Sequence, residues 1–147
     1  MREEAFRLEP MRTEIISNNP DIETLVPKTF SFTAMEGSSA GAVLTAARDR
    51  IHLGARLLAH PMAGRLRPNE TPYMTVVLEC PSAPSTSSGN ASGNGLDLPS
   101  LEIIEYCLAE EEKYANMRKK YDELLLPDLR FISCELFTGI LQELGIR

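Results

Sequence analysis

The chain has 147 residues, 43% of them hydrophobic and 24% charged, an average globular composition with enough length to bury one real core. Its formal charge of −6 argues against general nucleic-acid binding, which draws most of its free energy from Lys and Arg neutralising phosphates. The longest apolar stretches, Thr75 to Leu78 and Leu124 to Leu126, fall far short of the roughly 20 residues that span a bilayer, and Met1-Arg-Glu-Glu opens no signal-peptide core, so a cytoplasmic protein without membrane contact is expected.

Residues 1 to 12 are charged and unpatterned, and Thr13-Glu-Ile-Ile-Ser17 reads as a short buried strand ended by Asn18-Asn19-Pro20. Asn19 is placed to cap a short helix starting at Pro20 and stopped by Pro27. Thr29-Phe-Ser-Phe-Thr33 alternates as a second strand, and the connection is about the minimum for a parallel crossover, which leaves an antiparallel pair open.

Gly37-Ser38-Ser39 supplies a cap for the clearest helix, expected from about Ala40 to Ala59 with Leu44, Ala47, Ile51, Gly54 and Leu58 turned inward and an end enforced by Pro61. A loop rich in Pro, Gly and Arg leads to Tyr73-Met-Thr-Val-Val-Leu-Glu79, a strand whose apolar centre predicts burial on both faces. Residues 81–95 hold mostly Pro, Ser, Gly and Asn and are expected to form a flexible excursion.

Asp97 or Ser100 caps a second long helix with Leu101, Ile104, Leu108 and Ala115 inward, while Glu110 to Glu112 and Arg118 to Lys120 read as solvated faces. Asp128 is expected to cap the last helix, along which Leu129, Ile132, Leu136 and Ile140 repeat. The alternation predicts one α/β domain over residues 1–147: a small three-layer sandwich with a three- or four-stranded, mostly parallel sheet in the order two, one, three, and three main helices.

Cys80, Cys107 and Cys134 are odd in number and 27 residues apart each time, matching neither a disulfide framework nor a metal knuckle, so three reduced, mostly buried thiols are expected. On a continuous helix eight residues would separate the Cα atoms of His52 and His60 by about 12 Å, so no metal is expected. The chain contains no GxGxxG, Walker-type or GxSxG motif, and no cofactor is expected.

Candidate chemistry falls in three places. In open α/β sheets ligands sit beyond the carboxyl ends of strands, which makes the amides of Asn18 and Asn19 candidates for holding a carboxylate, against the plainer reading that they are turn and cap residues. Arg48, Asp49, His52 and Arg56 project within about a 100° arc of one helix, so Asp49 could orient His52 for acid–base work; ordinary surface ion pairs are the alternative. The loop from His60 to Tyr73 offers Arg65 and Arg67 as an anion clamp with Asn69, Glu70 and Thr71 to orient the ligand, or else forms a rigid connection bonding its own backbone.

Ile15-Ile-Ser-Asn-Asn-Pro20, Arg48-Asp-Arg-Ile-His52 followed by Leu57-Leu-Ala-His-Pro61, and Arg67-Pro-Asn-Glu-Thr-Pro-Tyr73 together resemble the GrdX family, over about residues 14 to 143. Those small proteins are encoded beside glycine, sarcosine and betaine reductase genes in amino-acid-fermenting anaerobes. The resemblance implies a cytoplasmic accessory of a selenoprotein reductase system and transfers no catalytic role to any residue. The matching positions are Asn18, Asn19, Arg48, Asp49, His52, His60, Pro61, Asn69, Glu70 and Tyr73. Met62, Arg65 and Met74 depart from the family pattern of Leu, Ser and a basic residue, and the Ser-Gly-Asn stretch after Cys80 looks like an insertion.

Three functions compete on this reading. The first is an accessory or assembly protein partnered by reductase components. The second is a small enzyme or ligand-binding sensor for a glycine-like amino acid or acyl phosphate, using Arg48, His52, His60, Arg67, Asn69, Glu70 and Thr71. The third is a homo-oligomer whose polar patch is interfacial.

Overall fold

The computed structural model describes residues 11–62, 70–81, 95–115 and 124–146. Four strands, β1 (Met11–Ser17), β2 (Ser31–Ala34), β3 (Arg56–Leu57) and β4 (Thr75–Pro81), alternate with three helices, α1 (Ala40–His52), α2 (Leu98–Ala115) and α3 (Leu126–Glu143). The sheet runs β2-β1-β4-β3. β1 pairs with β2 in parallel, and β4 lies antiparallel to both β1 and β3.

Successive strand residues point to opposite faces, and the two central strands use this to feed two cores. On one face Ile16, Val76, Leu78 and Cys80 pack with Val43, Leu44, Ala47 and Ile51 of α1 and with Ile104 and Cys107 of α2. On the other, Ile15 and Val77 pack with Ile22 and with Phe137 and Leu141 of α3. The result is the expected three-layer sandwich, with α1 and α2 above the sheet and α3 below. Among the described residues no helix is long and apolar enough to cross a membrane.

The sheet is mixed rather than mostly parallel, and the reason lies at the end of α1. The helix stops at His52 instead of Ala59, because Gly54 adopts φ +109 and the amides of Gly54 and Ala55 bond back to the carbonyls of Ile51 and Arg50, both at 3.0 Å. The chain then enters β3, an edge strand of two residues absent from the sequence reading, which runs parallel to β1. The parallel crossover that alternation predicts therefore ends on β3, and β4 returns between β1 and β3 in the opposite sense. Arg56 consequently leaves the helix and pairs across the sheet with Glu79 at 2.8 Å.

Gly54 is conformationally required. A Cβ there would lie 3.2 Å from Pro81 Cγ at a backbone angle that L side chains rarely adopt. Gly54→Ala is expected to destabilise the fold by about 1–3 kcal/mol, read as a lower urea midpoint with unchanged slope. A midpoint shift below about 0.3 kcal/mol in equivalent stability would contradict this origin of the helix end.

Smaller differences follow from caps. The 3-10 turn Glu23–Leu25 replaces the short helix after Pro20. Asp97 does cap α2, accepting from the Ser100 amide at 3.1 Å and from its hydroxyl at 2.6 Å, while Ser100 Oγ accepts the Leu57 amide at 2.8 Å and ties α2 to β3. Glu111, expected in a solvated run, is buried on the inner side of α2. α3 begins at Leu126 with Pro127 in its first turn, so Asp128 lies inside the helix rather than capping it. Its buried residues are Phe137 and Leu141, displaced from the stripe of Leu129, Ile132, Leu136 and Ile140. The excursion expected at 81–95 falls mostly on residues 82–94, outside the described residues.

Candidate functional site

The carboxyl ends of β1 and β2 converge where the chain turns at Asn18-Asn19-Pro20, and the amino end of α1 and the approach to β4 meet there. Asn18 joins these segments. Its side-chain amide donates to the carbonyls of Ser38 and Pro72, each at 2.9 Å, and its Oδ1 accepts the Met74 amide at 2.8 Å. Asn19 joins the turn to α3: its amide donates to the Arg130 carbonyl at 3.1 Å and contacts Cys134 Sγ at 3.8 Å, while its Oδ1 accepts the Asp21 amide at 2.9 Å. Both residues are buried, and Ser17 Oγ supports them by accepting the Asn19 amide at 3.0 Å and pairing with Thr75 Oγ1 at 2.8 Å.

Around this joint, Arg130 bonds Asp21 Oδ2 at 3.2 Å and the Tyr73 hydroxyl at 3.3 Å. Thr71 Oγ1 accepts the Tyr73 amide at 3.1 Å, and Glu70 is exposed beside it. His60 is exposed, its Nδ1 accepting the Met62 amide at 3.1 Å and its ring meeting Tyr106 edge-on at 6.2 Å between centroids. Arg65, Arg67 and Asn69, the proposed anion clamp and one of its orienting groups, lie outside the described residues.

Arg48, Asp49 and His52 stand apart from that joint. His52 is the last residue of α1, about 18 Å along the helix from Ala40 at 1.5 Å per residue. Asp49 and His52 are exposed, and Arg48 pairs with Glu105 of α2 at 3.5 Å. Arg48 lines an open groove of about 480 Å³ between α1 and α2, with Gly41, Thr45, Glu105, Ala109 and Glu112 among its walls; Asp49 and His52 do not line it. The sequence-derived candidates thus separate into a buried joint at one end of α1 and a charged groove along its flank.

A third constellation escaped the sequence reading. Glu14, in the middle of β1, is buried beneath α1 and takes two bonds from Arg50, Nε at 3.0 Å and Nη2 at 3.1 Å, with Thr33 Oγ1 at 2.6 Å and Cys80 Sγ at 3.6 Å. Burial alone would raise the Glu14 carboxyl, but the bonds from Arg50, Thr33 and Cys80 outweigh it and hold the group below its usual value. Burial and the neighbouring carboxylate push the Cys80 thiol up to about 11, and burial beside Glu110 pushes Cys107 up to about 12. Burial raises Cys134 as well. Thiols so raised stay protonated and are poor nucleophiles. All three cysteines are free, and among the described residues no group of three or more His, Cys, Asp or Glu could hold a metal.

Fold and joint together define a small three-layer α/β sandwich whose strand-end amides bind its own backbone. The chain belongs to the GrdX-like family: the family model, described as GrdX-like protein, matches residues 14–142. No curated protein and no solved structure matches it. The matched span runs from Glu14 to Gln142 and so contains the joint, the groove and the buried ion pair.

Proposed function

We propose that the protein is a cytoplasmic accessory or assembly factor of a glycine, sarcosine or betaine reductase system. Membership of the GrdX-like family over residues 14–142 carries this reading. The geometry supports it in one respect: Asn18 and Asn19, the best-placed candidates for gripping a small ligand, direct their amides to four points of their own chain. An amide so engaged fixes surface shape, which is what a protein partner reads. Deleting the gene from a fermenting anaerobe is expected to lower the yield of assembled, active reductase per unit of reductase polypeptide. Unchanged specific activity in the deletion strain would overturn the assembly role.

A second reading has one observation in its favour. The groove beside Arg48 sets a guanidinium among the carboxylates of Glu105 and Glu112, with the small residues Gly41 and Ala109 leaving room between them. A glycine-like zwitterion matches that pattern, its carboxylate toward Arg48 and its ammonium toward the glutamates. On this reading the protein senses or acts on an amino acid, with Arg48 as the binding group and His52, one helical turn further on, outside the pocket.

A further inference from the structure

The helix α3 has two apolar sides, and among the described residues the core uses one. Its inner side, Cys134, Phe137, Leu141 and Leu144, packs under the sheet. At 100° per residue Leu125, Ile132 and Leu136 fall together on the opposite side, and they remain 51%, 38% and 37% exposed; Phe131, 63% exposed, projects about 100° or more round the helix from them. Ordinary surfaces carry scattered apolar side chains; several in helical register on one outward face mark an interaction site.

Two further observations say what covers it. Exposed Asp128 and Glu135 flank this stripe on one side, and exposed Glu143 continues it toward the carboxyl end of the helix. The only base in the α3 sequence, Arg130, is held by Asp21 and Tyr73. Gly139 lies on the same outward side, and a Cβ there would meet nothing within 4 Å, so packing inside the chain does not call for glycine. Glycine is among the poorest helix formers, and at this place it exposes backbone to the close approach of another helix.

We propose that the outward face of α3 docks a helical segment of another protein whose apolar residues are flanked by Lys and Arg. A second copy of this chain fits poorly, because two such faces bring Asp128, Glu135 and Glu143 against their like while Arg130, the base of α3, is already engaged. An anionic bilayer is disfavoured by the same carboxylates. The inference deepens the accessory reading and rests on it only in expecting a protein partner, so peptides test the surface whether or not a reductase component binds elsewhere.

The test uses the full chain and two labelled helical peptides of about five turns, identical in their Leu and Ile stripe, one flanked by Lys and the other by Glu. Fluorescence anisotropy is expected to show saturable binding of the Lys peptide, about tenfold or more tighter than its twin. Ile132→Asp adds negative charge while removing the apolar contact: docking requires binding to weaken about tenfold, whereas charge attraction alone would strengthen it. Glu135→Lys combined with Glu143→Lys is expected to reverse the preference toward the Glu peptide. Thermal melts confirm that each variant folds. Failure of both peptides to bind, equal binding of the two, or indifference to Ile132→Asp would overturn the proposal. So would a dimer in analytical ultracentrifugation that Ile132→Asp disperses, which would assign the face to a second copy.

Discussion

Arg50→Met is expected to destabilise the fold by about 3–5 kcal/mol, the range for removing one partner of a buried ion pair. The whole stability of a domain this size is about 5–15 kcal/mol, so the variant should be marginal or unfolded at neutral pH. The cause is desolvation: Glu14 has a side chain only 4% exposed and would lose two of its hydrogen bonds. Arg50, with a side chain 31% exposed, keeps some access to water, which places the effect at the lower end of the range. Glu14→Leu combined with Arg50→Met should recover most of the loss, because no charge then remains buried, and the double-mutant cycle measures the coupling directly.

The same pair sets a pH dependence whose sign follows from the lowered Glu14 carboxyl. Its folded value lies below the ordinary 4.5, so the carboxylate contributes stability that is fully present above that value and is lost as the pH falls through the lower, folded one. Urea unfolding followed downward from pH 6 should show this decline in the native chain and a flatter profile in Glu14→Gln. Parallel profiles would mean that Glu14 ionisation does not contribute.

Asn18→Ala is expected to cost about 3 kcal/mol, from three side-chain hydrogen bonds of about 1 kcal/mol each. The loss exceeds that of an ordinary turn residue because the carbonyls of Ser38 and Pro72 and the amide of Met74 would be left facing a cavity. Asn18→Asp separates structure from chemistry. It keeps the acceptor for Met74 but replaces both donated bonds with a charge facing two carbonyls, so it should destabilise at least as much as alanine. Hydrogen exchange is the sharper readout: the Met74 amide should lose protection in Asn18→Ala and keep it in the native chain. Unchanged protection would show that the joint does not depend on this side chain.

Much of the architecture was legible because the strongest signals were periodic. Ile15 and Ile16 marked a short buried strand, the run Val76-Val77-Leu78 announced burial on both faces, and the register of Leu44, Ala47 and Ile51 placed α1. What escaped depended on single residues. Gly54 fell on the apolar register of α1 and read as helix interior, although its positive φ is what ends the helix, creates β3 and makes the sheet mixed. α3 was read one side too far around, because both of its faces carry Leu and Ile and the period alone cannot say which one the sheet covers. Pro127, a residue type that stops helices, serves as a first-turn residue of α3.

The site was legible in type and not in role. The turn of Asn18 and Asn19 does sit at the carboxyl ends of the parallel strands, where fold rules placed it, yet those amides bind backbone up to 111 residues away in sequence, a contact no local pattern encodes. Arg48 and His52 share a helix but not a pocket. Glu14 carried the one overlooked local signal: a carboxylate beside two isoleucines in a buried strand must have a partner, and Arg50 was the neighbour of the residues singled out on α1.

The central claim is partnership with the reductase, and titration calorimetry of the purified chain against the separate protein components of glycine reductase tests it most directly. Saturable heat with at least one component, reduced by Ile132→Asp and indifferent to free glycine, is the result this account predicts. Absence of heat with every component, alongside saturable amide shifts at Gly41, Thr45 and Arg48 on adding glycine, would contradict it and make the groove between α1 and α2 the functional site.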